Sequence, residues 1–181
     1  MMEDLSLHIL DLAENATSAG AKRVGIAVNE NEGRDVLTIR VTDDGRGMSE
    51  EDTKRALDPF FTTKGKKTGL GLALLAQTAE LCDGNVAIST TPGTGTRITA
   101  LFRYRHIDRP PLTKMAETVA MLVFGHPEVD FRYSHRRNGR AFRFESGRFL
   151  GRSEAGPTCS PETIRAVQRE LRRGLKSIGA R

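Results

Sequence analysis

A chain of 181 residues with 38% hydrophobic and 28% charged residues has the size of one domain, or of one domain with an appendage, and enough apolar residues for a core. No run approaches the ~18 apolar residues a membrane span needs, and the start Met1-Met2-Glu3-Asp4 is acidic where a secretory leader is basic. Cys82 and Cys159 stand far apart, which excludes a disulfide framework or zinc knuckle, and the cytoplasm is the expected compartment. Charge is uneven: residues 1–105 hold 13 Lys+Arg and 15 Asp+Glu, residues 106–181 hold 15 and 8, and the resulting −2 and +7 sum to +5. The composition changes at Arg105-His106-Ile107-Asp108-Arg109-Pro110-Pro111, where two prolines interrupt any regular element. Two units are expected, 1–105 and 106–181.

In chain order, Leu5, Ile9, Leu12/Ala13 and Ala16 form a helical stripe that ends near Gly20. Asp11 and Asn15 lie four apart on that helix and share a face. They read either as a solvated polar face or as a carboxylate offered to water beside an amide oxygen offered to Mg²⁺. His8, one turn earlier, reads as a packing histidine or as a second proton carrier. Strands are expected at Arg23 to Val28 and Val36 to Thr42. The second runs into Asp43-Asp44-Gly45-Arg46-Gly47-Met48. Asp43 can accept from the exocyclic amine of a flat heterocycle, while Gly45 and Gly47 admit backbone close to its ring. The same residues also suit an ordinary turn.

A short helix, Glu50 to Leu57 with Ser49 as N-cap, precedes Phe60-Phe61-Thr62-Thr63-Lys64, then Lys66, Lys67 and Thr68. Gly69-Leu70-Gly71-Leu72 opens an apolar helix over Ala73 to Leu81. Unpaired amides at a helix start attract phosphate, and the lysines ahead of it could reach the same anion. Neither a P-loop nor the dinucleotide fingerprint is present. A hairpin follows, Val86 to Thr90 and Ile98 to Phe102 around Pro92-Gly93, with Thr96 at the start of its second strand.

With Asn15, Asp43-x-Gly45-x-Gly47, Phe60 to Lys64, Thr68 to Leu72 and Gly95-Thr96 in this order, residues 5–105 resemble the GHKL ATP-binding superfamily, and within it the catalytic domain of sensor histidine kinases. The resemblance implies an α+β fold, a two-layer α/β sandwich of the Bergerat type with helices on one face of a mixed sheet. It implies ATP and Mg²⁺ as ligands, with Asn15 on the metal, Asp43 on the adenine amine, and Gly45, Gly47 and Met48 around the ring. Thr96 would help through water. Lys64, Thr68, Gly69, Leu70, Gly71 and Leu72 would take the phosphates, and Phe61 to Thr68 would be a short lid. Asp11 stands where hydrolysing members carry a glutamate general base; it is one methylene shorter, so the water or receiving hydroxyl must sit closer. The phospho-accepting helical module that sensor kinases carry ahead of this region is expected to be missing. An acceptor is then expected on a partner protein or in residues 106–181.

Those residues read as α-β-β-α: Leu112 to Phe124, Val129 to Ser134, Ala141 to Glu145 and Pro161 to Ile178 with Ser160 as N-cap, the strands flanking an Asn138-Gly139 turn. Aromatic residues alternate with arginines along the strands. This reads as a half-buried hairpin with a solvated basic face, as a contact for an acidic protein, or as a nucleic-acid contact. His126, Asp130 and His135 read as structural. The functional expectation is an ATP-dependent kinase or regulator of a partner protein, with a homodimer possible and no membrane contact. The alternatives are a non-catalytic, anti-sigma-like adaptor and a nucleic-acid-binding ATPase.

Overall fold

The computed structural model describes residues 4–56, 70–153, 156–158 and 160–180; for Leu70, 151–153 and 156–158 it describes the backbone alone. The helices are α1 (Leu5–Ser18), α2 (Glu50–Arg55), α3 (Leu70–Leu81), α4 (Met115–Gly125) and α5 (Pro161–Ile178). The strands are β1 (Arg23–Asn31), β2 (Val36–Asp43), β3 (Asn85–Thr91), β4 (Gly95–Arg103), β5 (Asp130–Arg137), β6 (Arg140–Glu145), β7 (Gly151–Ser153) and β8 (Gly156–Thr158). Six strands form one sheet in the order β3-β4-β2-β1-β5-β6, antiparallel throughout except for the parallel pair β1/β5. No helix of the described residues is long and apolar enough to cross a membrane.

Period-two alternation makes this sheet one-sided. Val24, Ile26 and Val28 of β1, Leu37, Ile39 and Val41 of β2, Ala100 and Phe102 of β4, and Phe131, Tyr133, Phe142 and Phe144 of β5 and β6 are all buried. The register pairs them with one another: Ile26 with Val41 and Tyr133, and Tyr133 with Phe144. The helices cover this face side by side. α3 lies on β3 and β4, α1 on β1 and β2, and α4 and α5 on β5 and β6, each helix touching the next. This is the two-layer α/β sandwich of the GHKL fold with the expected helix-strand-strand-helix extension. It also has a small β7/β8 hairpin, whose three-residue strands are too short to show a period.

The expected boundary at Arg105–Pro111 falls between β4 and α4, and the strands on either side of it share the sheet. Two polar ties hold them together. Asp4 caps α1 by accepting from the Ser6 amide at 2.8 Å. It also accepts from Thr113 N at 3.0 Å and Thr113 Oγ1 at 2.6 Å, and this grip delays the start of α4 to Met115. Between β1 and β5, His135 is buried with Nε2 2.6 Å from Glu30 Oε1 and Nδ1 2.6 Å from the Tyr133 hydroxyl. Burial pushes the Glu30 carboxyl up, but the His135 hydrogen bond and the His135 and Arg137 charges carry it below its ordinary value. His126 Nε2 meets Glu14 Oε2 at 2.9 Å, and Asp130 accepts from Arg132 Nε at 2.9 Å, so these residues are structural as expected.

Candidate nucleotide site

Three residues of α1, Asp11, Asn15 and Ala19 at its C-cap, form one row at four-residue spacing, and each end of the row meets a different element. At the lower end α3 begins. The amides of its first turn have no acceptor within the helix, and Gly71 lies so close to α1 that a Cβ there would overlap the Asp11 carboxylate. Asn15 Nδ2 donates to Asp11 Oδ2 at 3.2 Å. The amide nitrogen is thereby turned toward Asp11, and the oxygen is the end of Asn15 with lone pairs to offer a cation. Leu72, half-buried, packs against the core.

At the upper end β2 stops at Asp43, opposite Val24 on β1 and Thr96 on β4. Asp43 Oδ1 accepts from the Gly45 amide at 2.9 Å. Burial raises the Asp43 carboxyl above its ordinary value and the neighbouring Asp44 charge adds to this, against the Gly45 and Thr96 amides. The loop is pinned to α1: Arg46 N donates to the Ala19 carbonyl at 3.0 Å. A Cβ on Gly45 would come within 2.9 Å of Asp43 Oδ1 and 3.1 Å of Ala19. Gly47 has φ of 65°, the left-handed region, with the Thr91 carbonyl packed where a side chain would start. The two glycines thus let the loop pack its backbone against Ala19 and Thr91, where any Cβ would collide.

Two residues with a part in the loop escape a reading by motif. Thr90 Oγ1 accepts from Met48 N at 3.0 Å, donates to Gly95 O at 3.0 Å and lies 3.1 Å from Thr96 Oγ1. It therefore sets both Met48 and Thr96; the only signal in the chain is that the hairpin pairs Thr90 with Thr96. Asp44 turns away from the site. It accepts from Lys22 N and Arg23 N at 2.8 Å each and pairs with Arg23 Nε at 3.0 Å. Of the two adjacent aspartates, Asp43 faces the site and Asp44 anchors the loop to β1.

His8 lies on the same side of α1, one turn below Asp11. It is buried, and neither ring nitrogen has a hydrogen-bond partner among the described residues. Burial lowers its pKa from 6.5, and its ring is not linked to Asp11. The expected lid and the phosphate contacts Lys64, Thr68 and Gly69 lie outside the described residues, as does the Leu70 side chain. No group of three or more His, Cys, Asp or Glu gathers among the described residues. A cation held by Asn15 would thus take the rest of its shell from phosphates and water, as Mg²⁺ does.

Residues 3–106 match the family model described as histidine kinase-, DNA gyrase B-, and HSP90-like ATPase. The sensor histidine kinase ZraS of Escherichia coli O157:H7 is 34% identical over 95 residues, 52% of this chain and 21% of its own length. The non-motile and phage-resistance protein of Caulobacter vibrioides is 33% identical over 111 residues, 56% of this chain and 13% of its own. The chain thus spans about a fifth or less of these relatives. Among solved structures, the N-terminal domain of a DNA repair protein superposes with a TM-score of 0.55 at 13% identity, covering 99% of this chain and 57% of that one, a likeness of fold. The chain belongs to the histidine kinase-, DNA gyrase B-, and HSP90-like ATPase family.

Proposed function

We propose that this protein binds Mg·ATP along the Asp11–Asn15–Ala19 row and uses it to phosphorylate, or to control through nucleotide occupancy, a partner protein. The observation that carries the reading is the row itself. Eight residues of helix at ~1.5 Å rise span about 12 Å, the reach of a nucleoside and its phosphates, with a ring site at one end and a helix start at the other. Asp43 would accept from the adenine amine against Gly45 and Gly47, with Met48 and Thr96 at the margin. Gly69, Leu70 and Gly71 at the start of α3, with Leu72 behind them and Lys64 and Thr68 in the lid, would hold the phosphates. Asn15 would hold Mg²⁺, which supplies neutralising charge at the phosphate oxygens. Asp11, 3.2 Å from Asn15 and against Gly71, would take a proton from the attacking group.

The kinase relatives support a protein as recipient. In this reading residues 106–181 carry the partner contact, the protein works in the cytoplasm, and a second copy is a possible partner. Turnover of γ-labelled ATP tests the proposal. Asp11→Asn is expected to bind ATP within about threefold of wild type and to lose turnover by roughly 100-fold or more. Equal turnover in both proteins removes Asp11 as base, and binding by wild type without turnover leaves the occupancy switch. A wild type that does not bind ATP overturns the proposal.

A further inference from the structure

The sheet face away from the helices is a basic platform built from both parts of the chain. Arg40 of β2, Arg97 of β4, Arg136 of β5 and Arg143 of β6 are exposed. The register sets them among the outward residues: Arg40 is opposite Ala27 and Thr99, Arg97 opposite Thr42, Arg136 opposite Asn29, and Arg143 opposite Ser134. None of the four forms an ion pair among the described residues. The carboxylates of β5 and β6 are engaged with other arginines, Asp130 with Arg132 at 2.9 Å and Glu145 with Arg148 at 3.1 Å. The floor is of small side chains. Arg40, Arg136 and Arg143 surround a shallow open depression over Ala27, Thr38 and Ser134.

Such a face suits a polyanion, and its other residues narrow the class. Protein interfaces centre on clustered aromatic and apolar anchors, but Phe131, Tyr133, Phe142 and Phe144 all point into the helix layer, and Val36 and Leu101 are the large apolar residues that the described strands leave outward. The same absence of outward rings on the sheet removes the stacking on which unpaired bases depend. What remains is a set of guanidinium forks, the groups that grip phosphates most strongly. Strands ~4.8 Å apart and same-face residues ~6.8 Å apart spread them over about 20 Å.

We infer that the open sheet face binds the phosphate backbone of double-stranded nucleic acid without regard to base sequence. The face shares strands with the nucleotide site: β2 carries both Arg40 and Asp43, and β4 both Arg97 and Thr96. The inference stands whether or not the kinase reading does.

The test is fluorescence anisotropy of the whole chain with a mixed-sequence DNA duplex between ~50 and ~200 mM salt. Four neutralised phosphates predict a slope of log K against log salt of about −3.6, and Arg40→Ala/Arg143→Ala should bring it to about −1.8 and weaken binding up to about 60-fold near 0.1 M salt. Arg40→Lys/Arg143→Lys should keep most of the slope. Both pairs should melt as wild type and bind ATP unchanged. The exposed face of α5 is the control, since its Arg165 and Arg169 are interspersed with Glu162 and Glu170; Arg165→Ala/Arg169→Ala should leave duplex binding intact. No saturable duplex binding at low salt overturns the inference. So does an equal loss from the α5 pair, or tighter binding of a single strand or a polyglutamate peptide than of the duplex.

Discussion

Gly71→Ala separates the stability of α3 from its role at the site. In an ordinary helix the change stabilises by about 1 kcal/mol. Here the new Cβ would overlap the Asp11 carboxylate, which must swing aside. That movement costs about 0.5–1.5 kcal/mol if the rotamer is strained, together with most of the modest contribution, about 1 kcal/mol, of the 3.2 Å hydrogen bond from Asn15. The terms nearly cancel, so the melting temperature should stay within about 4 °C of wild type. Nucleotide binding has no such compensation. Displacing Asp11 disturbs Asn15 and the first turn of α3 together. The loss of one hydrogen bond to a charged group, about 1.5–3 kcal/mol, corresponds to about 10- to 150-fold in Kd. Thermal unfolding and calorimetric ATP titration on the same sample measure both quantities. A Gly71→Ala protein that melts normally and binds Mg·ATP as tightly as wild type would refute the reasoning, because the α1–α3 contact would then lie outside the site.

Two further predictions concern α1. His8 has a folded pKa below its ordinary 6.5, so as pH falls through that value the unfolded chain takes up the proton first and stability is lost. His8→Leu should therefore flatten the dependence of melting temperature on pH between about 7 and 5, and an unchanged slope would show that His8 is not the group responsible. Burial pushes Asp4 up, but its bonds to Ser6 and Thr113 bring it below its ordinary value, so its contribution is present above that value and lost in acid as the folded carboxyl protonates. Asp4→Ala removes a helix cap and the tie to Thr113, which should cost about 2 kcal/mol and lower the melting temperature of a chain this size by about 4–8 °C. A shift under about 1 °C would contradict the two-ended role.

Much of the nucleotide site is legible in the chain because its parts are local. Asp11 and Asn15 share a face by helical spacing, and Asp43, Gly45 and Gly47 sit in one turn at the end of one strand. The α5 helix over Pro161–Ile178 is equally local, with Ser160 Oγ accepting from Thr163 N at 3.1 Å. What escapes is what only long-range pairing decides. Nothing along the chain indicates that β5 joins β1 in parallel, carrying residues beyond the double proline onto the first sheet. Nor does it indicate that Ala19 completes the row from Asp11 to the Asp43 loop, or that Thr90 holds Met48 and Thr96. Counting charge by halves separates Arg40 and Arg97 from Arg136 and Arg143, although strand register sets all four on one face. The alternation along β5 and β6 does what period two demands, sending the aromatic residues inward and Arg132, Arg136 and Arg143 outward.

The most direct test of the central claim is calorimetric titration of Mg·ATP into wild type and Asp43→Asn. The amide can still accept from Gly45, but its nitrogen would present a donor to the donor amine of adenine. Removing a desolvated carboxylate should leave the fold as stable as wild type or more so, since burial already raises Asp43. The account predicts saturable binding by wild type and a loss of at least about 10-fold in Asp43→Asn, with no fall in melting temperature. A wild type that binds no nucleotide, or an Asp43→Asn protein that binds it equally well, would contradict the site described.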